Sequence, residues 1–196
     1  MCIRDRAKGV LVGPDQLHVC YSHSPLRYAW ELQHEYLREA GYGWGPRGLL
    51  VRWMLHRLRL WDARSANGVD RFVANSAFVA RRIRKAYRRE ADVVPPPVDV
   101  ARFVPGGEPR GAHYVTASRL VPYKRTDLLV EAFRDLPDRE LVVIGDGPQM
   151  ARLRRIAGPN VRLLGHRPFP ELLRWVQTAR AFLFASIEDF GIAPIE

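Results

Sequence analysis

Two cations and two carboxylates are the residues in this chain whose spacing best suits chemistry. Arg119 and Lys124 sit five residues apart in Arg119-Leu120-Val121-Pro122-Tyr123-Lys124, between the strand-like HYVTAS and a helical stretch. A helix start favours anions through its free N–H groups and its dipole, so a guanidinium and an ammonium placed there suit a pyrophosphate; the plain alternative is a pair of surface cations. Glu188 and Glu196 have seven residues between them, including Phe190-Gly191-Ile192, with Pro194 placed to open a helix. Such paired acceptors can take hydrogen bonds from the hydroxyls of a polyol. The glycines of Gly145-Asp146-Gly147-Pro148 permit close backbone approach, yet the third glycine of a dinucleotide fingerprint and any Walker A sequence are missing. The remaining candidates are His23, within Ser22-His23-Ser24-Pro25, and the pair Asn75-Ser76, for which helix capping is an adequate explanation.

These side chains need elements to hold them. His113–Ser118, Glu140–Gly145, Asn160–Gly165 and Arg180–Ala185 read as strands, alternating with helices over Lys124–Asp135, Pro148–Ala157 and Phe169–Thr178. That rhythm predicts βαβ units and a parallel sheet, whose ligands bind beyond the carboxyl ends of the strands. Upstream, Leu17–Tyr21, Arg71–Ala74 and Ala91–Val94 are strand-like, which places His23 at a strand's carboxyl end. Helices are expected from about Leu26 to Ala40, over Pro46–Arg64, and from Asn75-Ser76 to about Arg88. The helix Pro46–Arg64 is both apolar and basic, and the breadth of its apolar arc favours internal packing over membrane contact. Arg81, Arg82, Arg84, Lys85, Arg88 and Arg89 read as a solvated helix face, with a surface for lipid phosphates as the alternative. Three consecutive prolines, Pro95–Pro97, mark the domain boundary.

The 196 residues carry 31 Lys+Arg against 21 Asp+Glu, a formal charge of +10. Residues 1–98 hold 17 basic and 9 acidic side chains, so the positive character belongs to the first half. It bears on partners rather than fold. The hydrophobic content of 47% excludes a disordered tail, and arginines interrupt every apolar run long enough to span a bilayer. Cys2 and Cys20 cannot build a disulfide framework, and no zinc-ligand spacing occurs, so a reducing cytoplasm is expected.

Residues Glu188 to Glu196 match the E-x7-E motif of the retaining nucleotide-sugar glycosyltransferases of family 4. SHSPLRYAWE (22–31), FVANSAFVARRI (72–83), VVPPPVDVARF (93–103), SRLVPYKRTDLLVEAF (118–133) and VIGDGP (143–148) resemble segments of that family in the correct order. The likeness is greatest to its mannosyltransferase-like members. It implies a GT-B fold, α/β in class, with two Rossmann-like parallel-sheet domains, both truncated in this chain. The organisation expected is 1–6 extraneous, 7–94 the later part of the acceptor domain, 95–110 a linker and 111–196 the leading part of the donor domain. The family's glycine-rich loop is not found before Leu17, and the chain stops on the second glutamate, so a fragment inactive by itself is expected.

Carried onto matching positions, the resemblance makes His23, Arg119, Lys124 and Glu188 the catalytic set. Arg119 and Lys124 would hold the donor pyrophosphate and stabilise its developing charge in place of a metal. Glu188 would bind hydroxyls of the transferred sugar alongside backbone N–H groups of Phe190, Gly191 and Ile192, and Glu196 would bind the ribose. Asn75, Ser76, Gly145 and Gly147 would line the cleft. The implied activity is transfer of a hexose, mannose from GDP-mannose being the best guess, to a lipid-linked or polysaccharide acceptor of the cell envelope. No cofactor or metal is implied. Peripheral association with the inner face of an anionic membrane fits the basic first half. Two other readings stand beside this one: a sugar-nucleotide epimerase on the same fold, and a non-catalytic basic module binding membrane or nucleic acid. The aromatic residues do not interleave with the basic run, which argues against nucleic acid.

Overall fold

The computed structural model describes residues 8–196, so the expectation for residues 1–6 lies outside them. The chain divides into two compact units, Met1–Pro97 and Val98–Glu196.

The first unit runs β1 (Val19–Ser22), α1 (Gln33–Glu39), α2 (Pro46–Ser65), β2 (Arg71–Ala74), α3 (Ala77–Tyr87) and β3 (Ala91–Val93). Its sheet has the order β1-β2-β3, all parallel, with Ser22 opposite Ala74 and Ala74 opposite Val93. Val69, Phe72, Val79, Ile83 and Tyr87 form the core, which pins the apolar side of α3 to the sheet. Ser76 starts α3 by accepting a hydrogen bond from the Val79 amide at 3.1 Å.

Three expectations change in this unit. The stretch Leu26–Leu32 forms turns, and only Gln33–Glu39 is regular helix. Arg82 is buried rather than solvated. Most notably, α2 turns only part of its apolar surface inward: Val51, Leu55 and Leu58 are half-buried beside the buried Gly48 and Asp62, while Leu49, Leu50, Trp53, Met54, Leu60 and Trp61 are exposed. The inward side also carries a polar hub. The fully buried Asp62 meets Lys8 Nζ at 2.6 Å and accepts hydrogen bonds from Trp30 Nε1 at 2.8 Å and Tyr87 OH at 2.9 Å. A buried carboxylate requires such partners.

The second unit runs β4 (Tyr114–Ala117), α4 (Thr126–Ala132), β5 (Leu141–Ile144), α5 (Met150–Ile156), β6 (Val161–Gly165), α6 (Phe169–Thr178) and β7 (Ala181–Phe182). The sheet order is β6-β5-β4-β7, again parallel. All four residues of β5 are buried because both faces are covered. Leu141 and Val143 pack with Leu120, Val130 and Leu153, whereas Val142 and Ile144 pack with Val115 and Ala179. The chain steps from β4 through β5 to β6 on one side and then returns to place β7 on the other side of β4. The carboxyl ends of β4 and β7 therefore meet where the winding reverses, the position at which an open α/β sheet presents a crevice.

Candidate donor site of the second unit

The loops leaving β4 and β7 carry the residues singled out by spacing. After β4 the chain passes Arg119, makes a tight 3₁₀ turn over Pro122–Lys124, and enters α4 only at Thr126. Lys124 therefore precedes the helix instead of opening it. Between them Arg125 adopts a left-handed conformation, φ 54°, which is costly for a residue with a Cβ. Lys124 Nζ lies 2.5 Å from Glu188 Oε1, and Ser186 Oγ donates to the same oxygen at 2.9 Å. The ammonium and the carboxylate are 21% and 20% exposed, so water screens the pair only in part. This contact joins two of the predicted residues across 64 positions of sequence.

Arg119 and Glu196 lie on a different part of the same edge. They help to line a cavity of about 510 Å³, together with Gly145, Asp146, His166 and Arg167. Phe103, Leu172, Val176 and Phe182 make its apolar side. A polar rim on an apolar floor is the general form of a small-molecule site. Lys124 and Glu188 are not among its walls.

The glycines of Gly145-Asp146-Gly147 are required by close approach. Gly145 has φ 131°, and a Cβ there would fall 1.8 Å from the Ser118 carbonyl oxygen. Gly147 has φ 156°, and its Cβ would meet the Leu120 carbonyl oxygen at 2.5 Å. The two loops are stitched together, with the Leu120 amide donating to the Asp146 carbonyl at 2.9 Å and the Gln149 amide to the Leu120 carbonyl at 3.0 Å. Further along, Gly191 is left-handed at φ 80° between Phe190 and Ile192. Pro194 lies in a turn rather than opening a helix within the described residues, and the amides of Ile195 and Glu196 donate to the Ile192 carbonyl.

The first unit supplies its own candidates at a sheet edge. His23 follows β1 and Asn75 follows β2, directly beyond the paired residues Ser22 and Ala74. His23 Nε2 and Asn75 Oδ1 are buried atoms with no hydrogen-bond partner among the described residues, and Asn75 is 3% exposed. Buried polar atoms left this way are uncommon in native folds. Ser76, by contrast, has its hydroxyl engaged as the α3 cap.

Sequence reasoning missed four participants. Ser186 holds Glu188, and the β6 loop residues His166 and Arg167 share the cavity with Arg119. That loop leaves a strand's carboxyl end like the others, which was the available signal. Arg82 reaches from α3 to the His23 loop, donating to Ser24 Oγ at 2.6 Å and to Glu31 Oε1 at 2.7 Å. Nothing in the run of arginines distinguishes it.

Comparison with known proteins agrees with this architecture. Residues 5–102 match the model described as Glycosyltransferase Family 4, and residues 111–196 match Glycosyl transferases group 1. The chain is 32% identical over 125 residues to the GDP-mannose-dependent alpha-(1-6)-phosphatidylinositol monomannoside mannosyltransferase of Mycolicibacterium smegmatis, covering 55% of this chain and 33% of that protein. It is 37% identical over 163 residues to the D-inositol 3-phosphate glycosyltransferase of Nocardia farcinica, covering 65% and 35%. The matched part thus spans about a third of these relatives' length. Among solved structures, Anabaena HepE in complex with UDP and glucose superposes with a TM-score of 0.52 at 18% identity, covering 65% of this chain and 41% of that one. Its fold is the GT-B α/β type, and with one family model spanning half of the sequence, the chain belongs to glycosyltransferase family 4.

Proposed function

We propose that this chain carries donor-binding and acceptor-side machinery of a retaining glycosyltransferase that moves a hexose, mannose from GDP-mannose, to a lipid-linked or polysaccharide acceptor at an anionic membrane face. The observation that carries the reading is the meeting of Lys124 with Glu188 at 2.5 Å, on the sheet edge that also presents Arg119 and Glu196. A cation and an acceptor side by side suit a ligand that joins a phosphate to a polyol. Arg119 and Lys124 hold the pyrophosphate and stabilise the negative charge that grows on it as the glycosidic bond breaks, the task a metal performs elsewhere. Glu188, steadied by Ser186, takes sugar hydroxyls with the backbone amides around Gly191, and Glu196 takes the ribose. His23 and Asn75 are the acceptor-side contribution, consistent with their unsatisfied buried atoms. The departing phosphate removes the acceptor proton, so no protein nucleophile is assigned. The donor and acceptor are supported by the relatives, one of which is named as GDP-mannose-dependent and acting on a phosphatidylinositol mannoside.

Titration calorimetry of the chain with GDP-mannose, UDP-glucose and free GDP tests this reading. GDP-mannose should bind best, and Lys124→Ala and Arg119→Ala should each lose binding by at least about tenfold, in keeping with loss of a charge-assisted contact. Unchanged affinity in both variants would sink the phosphate site. Retention is tested on the transfer product, whose anomeric configuration should equal that of the donor.

A further inference from the structure

We infer that the Arg167 side chain reads the nucleobase of the donor, at the O6/N7 edge of guanine; this deepens the proposed function and rests on nucleotide binding in the cavity beside Arg119. The side chain comes from the far part of the sheet. In the order β6-β5-β4-β7, β6 stands two places from β4, about 10 Å across the sheet. Arg119 follows β4 and Arg167 follows β6, yet both line one cavity. With the phosphates held at Arg119, the group left to face Arg167 is the distal one, the base. The loop that carries Arg167 is fixed at both ends. Gly165 closes β6 in the left-handed conformation, φ 76°, and its carbonyl accepts from the Gly145 amide at 2.8 Å, while Pro168 and Pro170 stiffen the entry into α6.

Donors and acceptors around the cavity select the edge. Asp146 Oδ1 already accepts from the Gly147 amide at 2.7 Å, and Glu196 is assigned to the ribose. Arg167 is less committed. Its Nε is a buried atom with no hydrogen-bond partner among the described residues; Glu171 Oε1, 3.3 Å away, balances the charge without lying in line for a hydrogen bond. A guanidinium presents its donors as a planar fork, which calls for two adjacent acceptors. Guanine offers O6 and N7 side by side. Adenine sets an amino donor beside N7, and in uracil an N–H separates the two carbonyl oxygens, so neither fits the fork. Cytosine pairs O2 with N3 on a smaller ring, which buries less area on the apolar wall. That wall includes Phe103 and Phe182, aromatic surfaces suited to a base. Phe103 is itself held edge-on to Phe169 at 5.5 Å, and Arg102 lies over the Phe169 ring at 4.2 Å.

Titration calorimetry of the full chain with base analogues tests the edge directly. GDP and inosine diphosphate share O6 and N7 and should bind within about twofold of each other. The 7-deaza analogue of GDP loses only the N7 acceptor and should bind about tenfold more weakly. UDP, ADP and CDP should each fall about tenfold or more below GDP. Arg167→Met should lower GDP affinity about tenfold and abolish the difference between GDP and its 7-deaza analogue, a coupling that a merely structural role would leave in place. An unchanged circular dichroism spectrum and thermal midpoint establish that the variant is folded, and the analogues probe the unaltered chain in any case. Equal affinity for GDP and 7-deaza-GDP in the unaltered chain, a large loss with inosine diphosphate, CDP binding as tightly as GDP, or a 7-deaza penalty that persists in Arg167→Met would each overturn the assignment. Arg119→Ala and Lys124→Ala separate the two readings. Binding that these variants lose but that is blind to the base keeps the phosphate site and removes the base reader; affinity unchanged in both removes the phosphate site on which the base reader also rests.

Discussion

The two units build the same kind of parallel sheet from opposite materials. In the second, the strands are buried on both faces and the charged residues stand at the carboxyl edge, where Lys124 meets Glu188. In the first, charged groups are inside, with Asp62 joining Lys8, Trp30 and Tyr87, and Arg82 holding Ser24 and Glu31, while leucines and tryptophans of α2 face outward. The difference teaches that burial of apolar area fixes a scaffold, whereas a buried polar hub fixes which segments meet. The hub ties α2 and α3 to the segment that follows His23.

Removing each unit's mainstay is the strongest way to break this comparison. Asp62→Ala leaves the Lys8 ammonium buried without its counter-charge and should cost about 3–5 kcal/mol. A denaturant titration should show an earlier transition for the first unit alone; a single transition shifted as a whole would refute the separation. Replacing the pair by apolar residues, Lys8→Met/Asp62→Leu, should recover most of that loss. Leu141→Ala in the second unit should cost about 2–5 kcal/mol through its cavity and leave the first unit's transition in place.

Gly145→Ala comes next. Its Cβ must displace the Ser118 carbonyl, so about 1–3 kcal/mol is expected, together with weakened nucleotide binding at the cavity edge. Wild-type stability would show that the stitched loops can move apart. Lys124→Met sharpens the contrast between site and scaffold, since breaking a partly exposed pair should change stability by only about 0–1 kcal/mol while donor binding is lost. The smallest effect is a gain. Arg88 closes α3 at φ 57°, and Arg88→Gly should stabilise the first unit by about 1 kcal/mol, read as a later first transition.

Much of the second unit was legible in the sequence because its strands are short, uniformly apolar and separated by regular helices. LVVI at 141–144 could scarcely be anything else, and Phe169–Thr178 is observed over the bounds expected for it. The spacing of Arg119, Lys124, Glu188 and Glu196 pointed to strand ends, which is where the residues lie. Hidden from it was the division of labour, Lys124 pairing with Glu188 while Arg119 and Glu196 share a cavity with His166 and Arg167. That pairing depends on side-chain direction. The first unit was less legible because α2 carries apolar residues on both its half-buried and its exposed sides. Periodicity reports that a helix has two faces, and only the partners of Asp62 decide which one turns inward. The extra arginine role, Arg82 beneath the His23 loop, was masked by five equally basic neighbours.

The ion pair between Lys124 and Glu188 has a consequence for selectivity. Each group already occupies the other, so a ligand enters by exchange and not by filling open positions. Inorganic phosphate can replace the carboxylate at the ammonium but leaves Glu188 short of a donor; a free sugar can serve Glu188 but offers Lys124 no charge. A sugar phosphate supplies both replacements in one molecule. Under the proposed function the resting contact acts as a two-condition gate, and competing anions should displace a donor more weakly than their charge alone would suggest.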